Sequence, residues 1–492
     1  MKWRRKKMIR APEPQDQPLI ETVVEHGQEQ IFTWWDELSP ESRRNLLGQV
    51  RTLDFDQIRT FRRLLDASKK PCRKPLHMAP AEVIRMSRSE EEIRAREEAR
   101  QAGEEALRGG RAGVFLVAGG QGTRLGFEGP KGCFPIGRMT GKSLFAMHAE
   151  QILAAVRHYG VRIPWTIMTS EGNDAETREF FVRHGHFGLD PADVSFVRQR
   201  MLPALDAEGR ILLDAKDHLF MSPNGHGGAL LAMADGGVLD DARRRGVDVL
   251  SYFQVDNVLI RILDPVFIGY HLMAGAQMSS KMVTKRHAGE KLGHFGRVDG
   301  RLCVVEYSDM LPEDMEARTP DGRLKYEAGS IGIHLIDPEF VERKAKDGLE
   351  LPFHVAHKKI PFVSESGERV EPDEPNGYKF ETFIFDALRE TASSVILEVR
   401  REEEFSPVKN RYGEDSPETA RRDLTNQFAG WLEAAGVRVP RDREGNVPGV
   451  IEISPLYARN REEFLEKIPE GIRFEPALTL DADGEQTNRE AV

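Results

Sequence analysis

The sequence predicts an α/β chain: a mixed, mostly parallel sheet, with a helical N-terminal region before it and a small C-terminal α+β domain after it. Three observations carry this reading. From about residue 112, short apolar runs rich in β-branched and aromatic residues alternate with helical stretches. A capped, charge-laced helical stretch precedes the first run, and Glu414-Asp415-Ser416-Pro417 breaks the texture before a final helix and strand. The boundaries read 1–110 for the helical region, 111–405 for the central domain and 406–492 for the terminal one.

The elements follow in order. Ser39-Pro40-Glu41 places an N-cap serine before a proline at the first helical position, with Leu46, Leu47 and Val50 at helical spacing behind it. Asp56 opens a second helix carrying Ile58, Phe61 and Leu65 on one face. Residues 89–108 form a helix capped by Ser89 and stopped by Gly109-Gly110, its charges a solvated face. Residues 114–118 read as a buried strand, 143–156 as a helix, 165–168 and 247–255 as further strands. A helix near 417–435 and a strand at 450–453 close the chain. In such sheets ligands sit beyond the carboxyl ends of the strands.

Composition narrows the function. In 492 residues, 80 acidic against 70 basic side chains give a net charge of −10, which argues against a nucleic-acid coat while allowing a local basic pocket. Three scattered cysteines, Cys72, Cys133 and Cys303, form neither a disulfide framework nor a metal knuckle, so a reducing, cytoplasmic setting is expected. The basic start, residues 1–7, is followed by Ala-Pro-Glu-Pro and not by the apolar core of a secretory signal. No stretch approaches the roughly 18 apolar residues that span a bilayer. No membrane and no nucleic-acid partner are therefore expected; oligomeric state stays open, with a monomer as one outcome.

The chemistry concentrates in residues 116–132, Leu-Val-Ala-Gly-Gly-Gln-Gly-Thr-Arg-Leu-Gly-Phe-Glu-Gly-Pro-Lys-Gly. Glycines here let the backbone turn sharply and a ligand approach closely. Successive N–H groups of such a turn form an anion-holding concavity, and Arg124 and Lys131 add two cations. The loop suits a triphosphate, with room for a base against Ala118-Gly119. Two competing phosphate motifs fail. The dinucleotide fingerprint finds Gly120 and Gly122 but leucine at 125; the P-loop ending Gly141-Lys142-Ser143 has its upstream Gly137 one residue too close.

The motif GGQGTRLG followed by PKG resembles the UDP-sugar pyrophosphorylases, most closely the UDP-N-acetylhexosamine branch. Further segments resemble that family in order: IMTS at 167, QRMLP at 199, SPNGHGG at 222, VDN at 255, VEYS at 305, EAGS at 327, HVAHKKIP at 354, NGYKFE at 376, FSPVKN at 405 and ISPL at 453. The resemblance implies a Rossmann-like fold of the nucleotide-diphospho-sugar transferase, GT-A-like type. It also implies a uridylyltransferase making UDP-sugar and pyrophosphate from UTP and glucose or N-acetylglucosamine 1-phosphate.

By the resemblance, Ala118, Gly119, Gly120, Gln121, Gly122, Thr123 and Gln199 hold the nucleotide, and Gly225 closes over the base. Arg124, Lys131 and Lys379 carry the charge that develops during transfer. Asp256, ending an apolar strand, holds a Mg²⁺ ion on the phosphates; its alternative is an Asx turn. His226, Asn257, Glu306, Gly329, Ser330 and Lys409 meet the sugar phosphate. The N-acetylhexosamine branch has asparagine at the positions of His226 and Ser330, so the choice of sugar stays open. Two other readings accompany this one: a nucleotidyltransferase of the same fold using another nucleoside triphosphate, and a non-catalytic nucleotide-binding scaffold. The fourteen histidines show no zinc motif, and Cys133 lacks the context of a nucleophile.

Overall fold

A computed structural model describes residues 9–68, 78–347, 351–469 and 471–487. The basic opening stretch and Cys72 lie outside the described residues. The chain forms two compact units. The first comprises the described part of Met1–Lys74 with Arg200–Gly228 and Leu351–Ile384; the second comprises Pro75–Gln199, Ala229–Glu350 and Phe385–Val492. A reading along the chain does not express this grouping, because it joins segments far apart in sequence.

In the first unit, helices α1 (Gln17–Glu25), α2 (Pro40–Val50) and α3 (Phe55–Ser68) cover short antiparallel hairpins. Ser39 caps α2 as expected, its Oγ accepting from the Ser42 amide at 3.1 Å. Helix α3 corrects the expectation that Asp56 opens it. The Asp54 Oδ1 accepts from the amides of Asp56 and Gln57 at 2.9 and 3.1 Å. A capping carboxylate must precede the orphan amides that it serves, whereas Asp56 already lies within the first turn. Leu46, Leu47, Ile58 and Phe61 are buried with Leu202, Leu205 and Phe380. The Phe61 and Phe380 rings stack with centroids 4.0 Å apart. Burying each large apolar side chain contributes about 1.5–3 kcal/mol.

The second unit is built on a ten-stranded sheet among the described residues. Its strands are β1 (Met78–Pro80), β2 (Ala112–Val117), β3 (Trp165–Thr169), β4 (Val194–Arg198), β5 (Val249–Gln254), β6 (Met278–Thr284), β7 (His294–Val298), β8 (Arg301–Val305), β9 (Ala328–Ile336) and β10 (Ile396–Glu398). The order β5-β2-β3-β4 is a parallel run, with Val117 level with Met168 and with Gln254. Strand β9 pairs antiparallel with β5 and extends the sheet through β7 and β6. Strand β2 is apolar almost throughout because both of its faces are covered.

Helices α4 (Glu90–Arg108), α5 (Leu144–Tyr159), α6 (Asp174–Arg183) and α7 (Pro265–Met273) belong to this unit. Ser89 and Glu92 form a capping box at the start of α4, and Ser143 caps α5. Helices α4 and α7 approach backbone to backbone: a Cβ on Gly103 would lie 1.8 Å from the Pro265 carbonyl oxygen, and one on Gly269 1.7 Å from that of Ala99. Helix α8 (Pro417–Ala434) packs with the parallel pair Val450–Ile453 and Ala477–Leu480, the terminal α+β portion. No helix among the described residues is long and apolar enough to cross a membrane.

Candidate nucleotide-binding site

The Gly-rich loop leaves the carboxyl end of β2. The Ala118 amide still donates to Met168 O at 2.8 Å, extending the β2–β3 ladder by one residue. The chain then folds back on itself: Gly122 N donates to Gly129 O at 2.9 Å and Lys131 N to Gly120 O at 3.1 Å. That places Gln121 opposite Pro130, which has no N–H, and leaves the Gln121 amide outside the ladder. Among the described residues, the amides of Gly119, Gly120 and Gln121 have no protein acceptor. Three successive donors are thus unpaired beyond the strand, exposed at Gly120 and Gln121 and buried at Gly119. Glycine is required at two places for separate reasons. A Cβ on Gly122 would lie 2.7 Å from the Phe127 ring, and Gly126 turns with φ +72°.

A residue that sequence reasoning missed secures this loop. Buried Asn173 donates through Nδ2 to Ala118 O at 2.8 Å and Gly120 O at 3.3 Å, while its Oδ1 accepts from the Ser170 amide at 2.8 Å. The signal was available, since Ser170-Glu171-Gly172-Asn173 is a stretch of turn-forming residues directly after β3. Gln121 donates to Gly172 O at 2.9 Å, tying the same two turns.

The neighbouring strand ends add side chains. Gln199 follows β4, its amide donating to Thr169 O at 2.9 Å, and its side chain covers Gly119 so closely that a Cβ there would lie 2.3 Å from Nε2. Asp256 follows β5 and is buried; its Oδ2 accepts from Lys131 Nζ at 3.0 Å. Burial drives its carboxyl up, but the Lys131 and Lys409 ammonium groups outweigh that and hold it below the ordinary carboxylate value. Behind it, His148 on α5 bonds Val255 O through Nε2 at 3.0 Å, and burial lowers this ring to about 4, so it is neutral.

Lys409 reaches Asp256 through the backbone: Val408 N donates to Asp256 O at 2.9 Å. Its ammonium lies 3.8 Å from Asp415 Oδ2. Asn257 is brought to the same corner, with its amide engaged by the fold. Nδ2 donates to Glu404 O at 2.7 Å and Oδ1 accepts from Ser406 N at 3.0 Å, which pins the segment leading to Lys409. Arg124 and Thr123 lie exposed on the loop.

Glu306, Gly329 and Ser330 gather elsewhere in this unit, around Gly293. Ser330 N donates to Gly293 O at 2.8 Å, and a Cβ on Gly293 would lie 3.2 Å from Glu306 Oε1. Gly293 was not singled out from sequence, where a lone glycine before a strand carries little signal. Cys133 is half-buried, its thiol pushed up to about 12 by burial and by Glu176, which is contrary to nucleophilic use.

The first unit holds the other predicted residues. Its 224–228 turn is zipped to the end of the strand Gly377–Thr382: Thr382 N donates to Asn224 O at 2.7 Å and Gly227 N to Thr382 O at 2.8 Å. Gly225 takes φ +80°, and a Cβ there would lie 2.5 Å from Thr382 O. Ile384 N donates to His226 Nδ1 at 3.1 Å, so the ring carries its proton on Nε2. Burial, reinforced by His354, lowers His226 to about 4. The Lys379 ammonium stands 5.0 Å from the Phe220 ring centroid.

No cluster of three or more His, Cys, Asp or Glu side chains among the described residues forms a ready-made metal cage. Unpaired amides and lysines at the carboxyl ends of parallel strands mark an α/β protein with the groups that suit a phosphorylated ligand. The particular family follows from comparison. Residues 58–468 match the UDPGP family, described as UTP–glucose-1-phosphate uridylyltransferase, and the chain belongs to it. It is 40% identical to the human UDP-N-acetylhexosamine pyrophosphorylase-like protein 1, over 93% of this chain and 95% of that one. It is 36% identical to the Saccharomyces cerevisiae UDP-N-acetylglucosamine pyrophosphorylase, over 90% and 96%. The solved uridine diphosphate N-acetylglucosamine pyrophosphorylase of Trypanosoma brucei superposes with a TM-score of 0.77 at 29% identity, over 93% and 95%.

Proposed function

We propose that this chain transfers the uridylyl group of UTP to a sugar 1-phosphate. A phosphate oxygen of the sugar attacks the α-phosphorus in line, the bond to the α–β bridging oxygen breaks, and pyrophosphate leaves with that electron pair. Such chemistry needs positioning and charge neutralisation more than a covalent nucleophile. The observation that carries the reading is the row of unpaired amides at Gly119, Gly120 and Gln121, on the same loop as Lys131. In this reading Gln199 takes the uridine, Arg124 and Lys131 the phosphates, and Lys409 the sugar phosphate.

A magnesium ion belongs to the reading. Asp256 fits it as a hard, ionised, buried oxygen donor, and Mg²⁺ commonly takes one or two carboxylates with phosphate oxygens and water. Bound there, the ion supplies charge neutralisation on phosphate oxygens. A cytoplasmic setting is supported by the free thiols of Cys133 and Cys303.

The sugar is N-acetylglucosamine or glucose. Relatives named for N-acetylglucosamine favour the first; His226 and Ser330 in place of asparagine favour the second. Pyrophosphate release from UTP paired with the 1-phosphates of glucose, galactose, N-acetylglucosamine and N-acetylgalactosamine tests both. ATP, GTP and CTP serve as controls. Release with UTP and at least one sugar supports the reading; release only with another triphosphate, or with none, overturns it.

A further inference from the structure

Lys131 and Lys409 each face a carboxylate, whereas two guanidinium groups beside the same loop do not. Arg124 is exposed, and among the described residues it has neither an ion-pair partner nor a hydrogen-bond acceptor. Arg411 is exposed as well and has neither. Its guanidinium lies 5.2 Å from the Tyr412 ring centroid and against the loop itself. A Cβ on Gly126 would lie 3.0 Å from the Cζ and Nε of Arg411 and 3.2 Å from its Nη1. Gly126 is two residues past Arg124, so Arg411 lies against the same turn that carries Arg124.

The segment carrying Arg411 is held in place. Lys409 N and Asn410 N both donate to Asp415 O, at 2.6 and 2.9 Å, and Asn410 Nδ2 donates to Glu414 O at 2.8 Å. Asp415 sits at φ +53°, a conformation that a non-glycine residue keeps only when its surroundings enforce it. Arg411 therefore projects from a closed loop whose other end is fixed at Asp256 through Val408. Five donors in a rigid fork, unopposed by protein anions and laid on a Gly-rich turn, match a multiply charged oxyanion.

Resting on the reading above, we propose that Arg411 is a binding residue for the pyrophosphate part of the nucleotide, acting with Arg124 on the outer phosphates. The test is calorimetric titration of wild type, Arg411→Ala and Arg411→Lys with inorganic pyrophosphate and magnesium, alongside steady-state kinetics in both directions. Expected for Arg411→Ala is a roughly 10-fold weaker pyrophosphate affinity and a matching rise in KM for UTP, with KM for sugar 1-phosphate unchanged. Arg411→Lys should recover part of the loss, and added salt should narrow the difference from wild type. Affinity of Arg411→Ala within twofold of wild type, or a wild type that binds no pyrophosphate, overturns the inference. A wild type that binds pyrophosphate yet transfers no uridylyl group would refute the proposed reaction, while the Arg411 assignment would still be decided by binding.

Discussion

Lys131 Nζ and Asp256 Oδ2 stand 3.0 Å apart, joining the Gly-rich loop after β2 to the end of β5, its parallel neighbour. The pair sets the cation of the proposed phosphate site against the carboxylate of the proposed metal site before any ligand arrives. On the proposed reading, a triphosphate entering the loop would offer Lys131 a stronger partner and would free Asp256 for an ion.

Lys131→Ala and Asp256→Asn should therefore each lower kcat/KM by at least roughly 100-fold, because each removes charge placed where charge develops. The double variant should lose much less than the product of the two losses, since the residues act as a unit. Steady-state pyrophosphate release checks this; additive losses would show that the pairing is incidental.

Lys409→Ala should raise KM for the sugar phosphate or lower turnover by at least ~10-fold, with KM for UTP little changed. Wild-type kinetics in that variant would remove Lys409 from the site.

Gly103→Ala and Gly269→Ala each place a methyl group less than 2 Å from a facing backbone oxygen. Helices α4 and α7 must then separate, at a cost of about 3 kcal/mol or more. A thermal melt should show a fall of several degrees in Tm for either variant. An unchanged Tm would mean that the two helices are not in this close contact.

His148, His226, His271 and His294 are lowered to about 4, in each case chiefly by burial. Their folded values lie below the ordinary 6.5, so the unfolded chain binds the extra protons between those limits. The stability they contribute is complete above about pH 6.5 and is lost as pH falls toward 4. Melts across pH 8 to 4 should show Tm dropping steadily below 6.5. A flat curve there would contradict their buried, neutral state.

Much of this was legible because local rules and tertiary structure agree. Strand β2, helix α5 with its Ser143 cap, helix α8 and the strand Val450–Ile453 fall within a few residues of their predicted bounds. The Gly-rich loop was legible for the same reason: glycine spacing and nearby cations follow the backbone they serve. Asn173, Gly293 and Arg411 were not, because each meets its neighbours across tens or hundreds of positions of sequence. Asn257 shows the converse. Its motif was plain, yet its amide bonds the backbone at Glu404 and Ser406. The grouping of the first helices with segments 200–228 and 351–384 was hidden as well, since it depends on long-range burial around Phe61 and Phe380.

The most direct test is a crystal soaked with UTP and magnesium. The account predicts density for the triphosphate within hydrogen-bonding distance of the Gly119, Gly120 and Gln121 amides, with Lys131 turned from Asp256 toward phosphate. Nucleotide bound elsewhere, with those amides bare and the Lys131–Asp256 pair intact, would contradict it.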